Sequence, residues 1–460
     1  MAGIGFVLRK LTRRDDLLGI VQGYTHAALA STGPWLFTVL SLGAISFLTA
    51  GAGQLEEVNV FRTVIIYNFG FSLVFTGPIL LVATRYLSDM IYRKDVSGTV
   101  GMLLGSMVLA FGSQAFIVLP FYLLYVDLPP VLLLASIVNY FVIAGIWLVA
   151  IYLTALKDFN AITRSFAAGM LAGAVGAVWL AFDLGALGMM IGFTGGLALI
   201  FFALIARIFA EYPYRFRRPF AFLAYYRTYW ELAASGFVYN LAIWADKWLM
   251  WTAPERDISP SGLVTYPDYD SAMFLAYLTV VPSLAAFVLQ VETSFFERYL
   301  AFYRDIQHHA NFRRIARNQR EIVVTILHSG RNLLILQGCI TFVVIAMAPN
   351  LFAVLGLNFR QIGMFRIGVL GSFFQVLVLS LSVIVAYFDL RKVTLAIFLV
   401  MLMTNIGFTL ITLELGFPYY GYGNFFSNLV TFLFAAFAAA HYLNQLPYLT
   451  FVRNNASVQG

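Results

Sequence analysis

Charged side chains stand inside or beside long apolar stretches of this chain, where they could bind an ion or a polar substrate. Asp246 and Lys247 are adjacent in one stretch, Glu292 and Arg366 lie near the ends of two others, and Arg85 follows a fourth. Ionisable groups are costly to bury in apolar surroundings, so in membrane segments they usually face a bundle interior or a water-filled cavity. These five residues are therefore candidates for lining a polar path.

Two interpretations stay open for Asp246 and Lys247. Trp244, Trp248 and Trp251 flank the pair as an aromatic belt at a membrane interface would, so the lysine could extend its ammonium group to water. Adjacent residues of a helix point about 100° apart, and we therefore expect that the two side chains do not share one partner.

Glu292 and Arg366 also permit structural interpretations. Glu292 could pair with Arg298 at the inner membrane interface, since the two are close in sequence. Arg366 lies about a turn and a half from the outer end of its stretch, within reach of the outer interface. Both residues thus remain candidates either for a site or for an interface contact.

Neutral amide side chains deep in the apolar stretches form a second set of candidates. They are Asn68, Asn139, Asn240, Gln290, Gln337, Gln375, Asn405 and Asn428. Such amides could line an aqueous cavity, or they could form hydrogen bonds between helices that are typically worth under about 1–2 kcal/mol. Asn240 and Gln375 are our cavity candidates among them.

Patterns for catalysis or cofactor binding are absent from the sequence. It has no phosphate-binding GxxxxGK[ST] loop and no HExxH motif, and its one cysteine is Cys339. Apart from the adjacent His308 and His309, the histidines are scattered. We therefore predict no enzymatic activity, no cofactor and no metal site.

The elements that must position the candidate residues are membrane-spanning helices. Of the 460 residues, 61% are hydrophobic and only 11% are charged. A span needs about 20 apolar residues, and backbone groups in hydrocarbon must be satisfied within the segment, so the spans are helices. The twelve predicted spans are 20–48, 63–84, 99–123, 131–155, 166–182, 186–206, 229–251, 271–292, 332–348, 361–387, 393–413 and 423–443. The predicted fold class is an all-α polytopic membrane protein with twelve transmembrane helices.

The loops between the spans alternate in basic content. One side has 24 of the 29 lysines and arginines, and the other has nine acidic residues. The positive-inside rule then predicts that the amino and carboxyl termini are both cytoplasmic. A basic run at 313–320 fits anionic lipid headgroups or a protein partner better than nucleic acid.

The spans divide into two sets of six. We predict an N-terminal six-helix bundle at 1–206, a basic cytoplasmic linker at 207–228, and a C-terminal six-helix bundle at 229–460 with a basic cytoplasmic loop at 294–331. Such paired halves are a common plan of carriers that bind substrate between them. Pro34, Pro78 and Pro282 lie inside spans and should weaken those helices.

Several short segments of the chain resemble one family, the PelG family, which is the inner-membrane component of the Pel exopolysaccharide system. The resemblance runs in order from residue 3 to about residue 430 over the same spans. The matching segments are Gly3–Phe6, Leu8–Leu11, Ser31–Trp35, Arg85–Asp89, Trp244–Lys247 with Trp251, Glu292–Tyr299 and Tyr387–Asp389. Asp246, Lys247, Glu292 and Arg85 lie inside matching segments, which strengthens them as candidates.

The resemblance implies a branch of the multidrug/oligosaccharidyl-lipid/polysaccharide exporter superfamily, with two six-helix bundles around a central cavity. It further implies export of a galactosamine-rich, partly cationic exopolysaccharide during secretion of the biofilm matrix. The expected partners are a cytoplasmic glycosyltransferase and membrane scaffold proteins, one of which senses cyclic di-GMP, together with membrane lipid.

Our hypothesis is a multi-pass transporter of the cell inner membrane that exports an exopolysaccharide. One alternative is a lipid-linked oligosaccharide flippase or a cation-coupled drug antiporter of the same superfamily, which would need an ion-coupling carboxylate deep in a bundle. A second alternative is a non-conducting scaffold for a polysaccharide synthase. A membrane glycosyltransferase is disfavoured, because the sequence lacks a catalytic loop.

Overall fold

The computed structural model describes residues 17–51, 53–156, 159–213, 215–449 and 451, and side chains of residues 17–31 and 153–159 lie outside the description. Some residues that the sequence predictions used therefore lie outside the described residues. They are the basic residues near the amino terminus, Lys157, Arg453 and the segments Gly3–Phe6 and Leu8–Leu11.

Helices make up most of the described chain, as expected from its apolar stretches. In chain order they are α1 (Leu17–Gly51), α2 (Leu55–Tyr92), α3 (Thr99–Pro120), α4 (Pro130–Leu156), α5 (Phe159–Glu211), α6 (Ala224–Thr228), α7 (Trp230–Met250), α8 (Pro267–Leu278), α9 (Val281–Gln290), α10 (Phe296–Gln307), α11 (Phe312–Leu355), α12 (Ile362–Tyr387), α13 (Arg391–Leu415), α14 (Tyr422–Asn444) and α15 (Leu446–Tyr448).

Shorter elements join some of these helices. Wider π-helical turns follow α3 at Phe121–Tyr125 and α9 at Val291–Phe295. Single 3₁₀ turns lie at Ala221–Leu223, Phe359–Gln361 and Phe417–Tyr419. One antiparallel hairpin follows α7 and pairs β1 (Asp257–Ile258) with β2 (Val264–Thr265).

Ten helical stretches of the described chain are long and apolar enough to cross a membrane. One of them, α5, contains two helical segments, because Gly185 between them has non-helical backbone angles (φ 58°, ψ −133°). The 21-residue α7 is not among the ten, and its sequence includes Glu231, Asp246 and Lys247. The count of twelve spans stays a prediction.

A carboxylate of α2 caps the start of the helical segment that follows Gly185. The Glu57 side chain accepts the backbone N–H of Ala186 at 2.8 Å, so it satisfies one of the donors that a helix start leaves unpaired. A Cβ on Gly185 would lie 2.8 Å from the same carboxylate oxygen. The positive φ and this close approach together require glycine at this position.

The three prolines inside the predicted spans affect their helices differently. Helices α1 and α2 continue through Pro34 and Pro78. At Pro282 the helix is interrupted, because α8 ends at Leu278 and α9 begins at Val281 with the proline in its first turn, where its missing N–H is tolerated.

The described chain forms two compact units. The amino-terminal unit comprises Thr32–Trp244 and Trp251–Pro267. The carboxy-terminal unit comprises Ala245–Met250 and the described residues from Asp268 to 451, together with residues 17–31. In the amino-terminal unit α4 packs on α2 and α5, and in the carboxy-terminal unit α14 packs on α12 and α13. The boundaries predicted for the two six-helix bundles stay a prediction.

The segment 294–331, predicted as the basic cytoplasmic connection between two spans, is largely helical, and its cytoplasmic position stays a prediction. It contains the last residues of the π-helical turn, all of α10 and the first five turns of α11. The chain reverses direction between these two helices, at 308–311. Buried Asp305 joins the two helices, because it accepts hydrogen bonds from Arg314 Nε at 2.7 Å and Asn318 Nδ2 at 2.6 Å. Arg298 of α10 also pairs with Glu321 of α11. Its apolar and basic pattern is that of an amphipathic helix pair.

Candidate functional site

The carboxy-terminal unit encloses a charged pair made by two adjacent residues of α7. Asp246 has no exposed surface and Lys247 is only 7% exposed. The lysine Nζ donates to both carboxylate oxygens, at 3.0 Å to Oδ1 and 3.1 Å to Oδ2. The pair is therefore neutral as a whole, and it is held in the low-dielectric interior of a bundle.

Two tyrosines of α8, the helix after the β-hairpin, contact the charged pair directly. Tyr269 donates its hydroxyl hydrogen to Asp246 Oδ2 at 2.9 Å. Lys247 Nζ donates to the Tyr277 hydroxyl at 3.2 Å and lies 4.6 Å from the centre of that ring, which is within cation–π range. Both charges of the pair thus have hydrogen-bonding partners besides each other.

Two asparagines from α13 and α14 close the cluster on its other side. Asn405 Nδ2 lies 3.4 Å from Asp246 Oδ1, and Asn424 Nδ2 lies 3.4 Å from Oδ2. Asn424 also donates to the Tyr277 hydroxyl at 3.1 Å. We call Asp246, Lys247, Tyr269, Tyr277, Asn405 and Asn424 the Asp–Lys cluster.

Small residues allow α13 and α14 to bring these amides close. A Cβ on Gly423 would lie 2.7 Å from the Cα of Thr409, so the two helices touch through backbone at this point. Thr409 in turn donates to Asn405 Oδ1 at 3.2 Å, which orients the amide nitrogen of Asn405 toward the aspartate. Gly371 of α12 has no Cβ and so leaves room for the side chain of Asn424.

The cluster can hold a buried charge but leaves a cation little opportunity to bind. Asp246 contributes two carboxylate oxygens, and each of them already accepts from the lysine and from at least one further donor. A metal ion or proton at Asp246 would have to displace the Lys247 ammonium. Among the described residues no group of three or more His, Cys, Asp and Glu side chains could hold a metal ion.

The structure pairs Asp246 and Lys247 directly with each other, a contact that the expectation of separate partners did not include. Their Cα–Cβ bonds do diverge, but the four-carbon lysine side chain bends back to the preceding carboxylate, and Asn424 and Tyr277 link the two charges. The lysine also does not extend its ammonium group to an exposed position, since it is buried in the cluster.

Glu292 lies in the π-helical turn after α9 and is buried. Its Oε1 lies 3.5 Å from the hydroxyl of Tyr387, which donates to it, and the ring of Tyr387 packs edge-on against Phe295 at 5.2 Å. Arg298 pairs with Glu321, as described above, so among the described contacts it is not the partner once considered for Glu292.

The remaining candidates lie apart from the cluster. Arg366 is exposed and its Nε donates to the carbonyl of Ile345 at 3.3 Å. Gln375 of α12 is half-buried, and its Oε1 has no hydrogen-bond partner among the described residues. Arg85, in the amino-terminal unit, lies 3.5 Å from Asp89 and 5.0 Å from the ring centre of Tyr229.

Asn240 supports a helix crossing in the amino-terminal unit. Pro78 cannot donate to the carbonyl one turn before it, and Asn240 of α7 donates its amide to the neighbouring carbonyl of Leu73 at 3.1 Å. A Cβ on Gly236 would lie 2.3 Å from the carbonyl oxygen of Gly77, so α2 and α7 are in backbone contact here.

A second network of polar side chains, all of them neutral, is buried in the amino-terminal unit. Asn68 Nδ2 donates to Asn139 Oδ1 at 2.8 Å and to the Ser136 carbonyl at 2.9 Å, while its Oδ1 accepts from Tyr122 at 2.6 Å. Asn139 continues the network by donating to Thr194 at 2.9 Å. We call these five residues the asparagine network.

Sequence reasoning missed Tyr269, Tyr277 and Asn424. Asn424 stands at the start of a predicted span and Tyr269 between Asp268 and Asp270, so neither was among the polar residues selected deep in the spans. The available signal was helical spacing, because Asn424 and Asn428, like Asn405 and Thr409, are four residues apart and share a helix face.

Solved structures with the same arrangement of helices are transporters. An outward-facing multidrug resistance MATE family transporter of the MOP superfamily is 15% identical, with a TM-score of 0.61 over 92% of this chain and 96% of that chain. A MOP superfamily transporter from Pyrococcus furiosus, described by the reverse polarity of its binding pocket, is 14% identical, with a TM-score of 0.60 over 91% and 96%.

An inward-facing MATE family transporter is 14% identical and gives a TM-score of 0.57 over 91% of this chain and 99% of that chain. The chain therefore has the fold of MOP superfamily transporters and is a multi-pass membrane protein. No curated protein matches it. A family model described as the PelG exopolysaccharide exporter (EPS-E) matches residues 1–451, so the chain belongs to the PelG family of exopolysaccharide exporters.

Proposed function

We propose that this protein exports an exopolysaccharide across the cytoplasmic membrane. The observation that carries the proposal is the family match over residues 1–451, which covers both compact units. The transporter fold supports it, because two helical units around a substrate path are the usual plan of secondary carriers.

The proposed topology has twelve spans, with both termini in the cytoplasm. The ten apolar stretches support this count if α5 crosses twice, with its reversal at Gly185, and if α7 crosses despite its charges. The basic residues on the predicted inner side support the orientation. Two six-helix bundles, at 1–206 and 229–460, would then enclose a central hydrophilic cavity, with Asn240 and Gln375 among its candidate residues.

The proposed substrate is a galactosamine-rich, partly cationic polymer of the biofilm matrix. The nine acidic residues on the predicted outer side would attract such a polycation after it crosses. A cytoplasmic glycosyltransferase would supply the growing chain, and membrane scaffold proteins would hold this enzyme beside the exporter. The neighbouring reading frames provide a direct check of these partners.

A cell-based assay tests the export function. Cells that lack the gene should retain polymer in the cytoplasm, and the wild-type gene should restore extracellular polymer. Asp246→Asn combined with Lys247→Met removes both charges while keeping their volumes, and we expect this variant to reach the membrane but to secrete less. Full secretion in the absence of the protein would refute the proposal.

The fold also favours one other function, cation-coupled antiport, since the similar solved structures include multidrug transporters. Such a carrier needs a carboxylate that exchanges its cation, yet Asp246 is already bound by Lys247 at 3.0 Å. Transport into vesicles that depends on a proton or sodium gradient, and is lost in Asp246→Asn, would favour the antiporter. A non-conducting scaffold predicts instead that charge reversals in the basic segments 207–228 and 298–320 stop secretion, whereas cavity-blocking substitutions at Asn240 or Gln375 do not.

A further inference from the structure

A small pocket in the amino-terminal unit has an almost wholly apolar lining. It has a volume of about 90 Å³ between α2, α3 and α4. Its walls are mainly the apolar side chains Phe71, Phe75, Ile117 and Phe121. Mostly apolar and aromatic walls are typical of ligand sites. A pocket of this size can take only part of a ligand, such as a short stretch of an apolar chain.

One wall of the pocket is a stack of aromatic rings. Tyr67 stacks on Phe121, with ring centres 5.9 Å apart and planes within 16°, and on its other side it stacks on Trp251 at 4.7 Å and 19°. Phe121 stacks in turn on Tyr125 at 5.6 Å. These contacts fix the rings, so the wall is formed before any ligand binds.

Polar groups at the floor of the pocket are directed away from it. Both amide hydrogens of Asn68 are used within the asparagine network, and Tyr122 donates its hydroxyl to Asn68. The Tyr140 hydroxyl donates to Gln114 at 2.7 Å. The Tyr67 hydroxyl donates to the Val264 carbonyl at 2.7 Å and accepts from its N–H at 3.1 Å.

This arrangement distinguishes between two kinds of ligand. A saccharide needs free donors and acceptors for its hydroxyl groups, and burying unpaired hydroxyls is costly. The donors of Tyr67, Asn68, Tyr122 and Tyr140 are all used within the protein. A hydrocarbon chain needs no hydrogen bonds and gains from contact with the aromatic walls.

The mouth of the pocket opens on an apolar surface of α3. Ile117 at the mouth is 48% exposed, and the adjacent Phe116 and nearby Leu124 are still more exposed. In a membrane-spanning helix such a surface is covered by lipid hydrocarbon. The neighbouring medium therefore supplies a ligand of the required chemistry.

We propose that this pocket binds the hydrocarbon tail of a membrane lipid. The tail could come from a phospholipid or from a polyprenyl-linked saccharide, which share the apolar chain that the walls fit. The inference depends on α2, α3 and α4 lying in the membrane and does not depend on the export of polysaccharide, so either can fail without the other.

Photo-crosslinking in lipid nanodiscs tests the pocket directly. One probe is a phosphatidylcholine with a diazirine in its acyl chain, and the other is a diazirine-labelled polyprenyl phosphate. We expect adducts to concentrate on residues 67–75 and 117–122 at several times the yield found around Val108, an exposed position of α3 outside the pocket. The probe that gives the higher adduct yield at these residues identifies the source of the tail.

Variants at the mouth provide the controls. Ile117→Trp should fill the pocket and lower adduct yield at 67–75 at least five-fold, and Ile117→Phe should lower it less, whereas Val108→Trp should leave it unchanged. Uniform labelling along α3, or labelling that persists in Ile117→Trp, would mean annular lipid only and would overturn the proposal. Protection of the pocket by a soluble hexosamine oligosaccharide would also overturn it, because it would indicate a sugar site.

Discussion

The two units bury their polar groups in different ways. In the amino-terminal unit the asparagine network is neutral and each of its short hydrogen bonds, 2.6–2.9 Å long, joins uncharged groups. In the carboxy-terminal unit the Asp–Lys cluster places a full ion pair in the interior and surrounds it with two hydroxyls and two amides. The first arrangement can specify helix packing at low cost, whereas the second adds a large desolvation cost.

This difference indicates where function is to be sought. A neutral network is sufficiently explained by the need to pair helices in an apolar medium. A buried ion pair often contributes less to stability than apolar residues of the same volume, so stability alone does not explain its presence. We therefore regard the Asp–Lys cluster as the better candidate for a part in transport.

The largest effect should follow from removing one charge of the pair. Lys247→Met leaves the Asp246 carboxylate buried without its counter-ion and should destabilise the protein by about 3–5 kcal/mol. The expected readout is a lower Tm and a low yield of monodisperse protein in detergent. Asp246→Asn in the same chain should restore most of the loss, and a double variant as unstable as Lys247→Met would show that the charges are not the cause.

A smaller loss is expected from the neutral network. Asn68→Leu removes the acceptor of Tyr122 and the donor to Asn139, leaving buried polar groups unpaired at a cost of about 1–3 kcal/mol. The Tm in detergent measures the effect, with the exposed Asn332→Leu as a matched control. A loss as large as that of Lys247→Met would remove the distinction between the two units.

The same chemical change in each unit gives the most direct comparison. Tyr269→Phe deletes a hydroxyl that donates to a carboxylate, and Tyr122→Phe deletes one that donates to a neutral amide. Hydrogen bonds to charged acceptors are the stronger class, so we expect losses of about 2 and about 1 kcal/mol respectively. Thermal unfolding of both variants, beside the exposed Tyr448→Phe, tests the ratio, and equal losses would argue that Asp246 is not charged.

The smallest effect is expected at Arg366. Its side chain is exposed and has one described hydrogen bond, to a backbone carbonyl, so Arg366→Gln should change stability by less than about 0.5 kcal/mol. Secretion should also remain at the wild-type level. A clear loss of secretion in a stable Arg366→Gln protein would return this residue to the list of site candidates.

Charge within an apolar stretch of the sequence singled out Asp246 and Lys247, which the structure buries, while their part in transport stays a prediction. Their mutual pairing was not predictable from helical spacing, because spacing fixes the direction of Cβ but not the path of a long, flexible side chain. Asn424 and Tyr277 escaped notice for another reason. They approach α7 only through the packing of α14 and α8, and no local pattern states which helices meet.

Long elements were also predicted better than their ends. Most spans coincide with helices, but Gly185 separates two of them inside one continuous stretch, and α11 begins about 20 residues before the predicted span. Hydropathy detects the part of a helix that matches hydrocarbon, whereas its polar extension contributes no apolar signal.

Helix α11 is longer than any bilayer requires. Its 44 residues extend roughly 66 Å at about 1.5 Å per residue, against a hydrocarbon thickness of about 30 Å. Its one proline, Pro349, lies near the far end, so the remainder can act as a rigid lever. A change in tilt of about 10° would displace the turn at 308–311 by roughly 11 Å, so a label there would report small rotations of the helix as large distances.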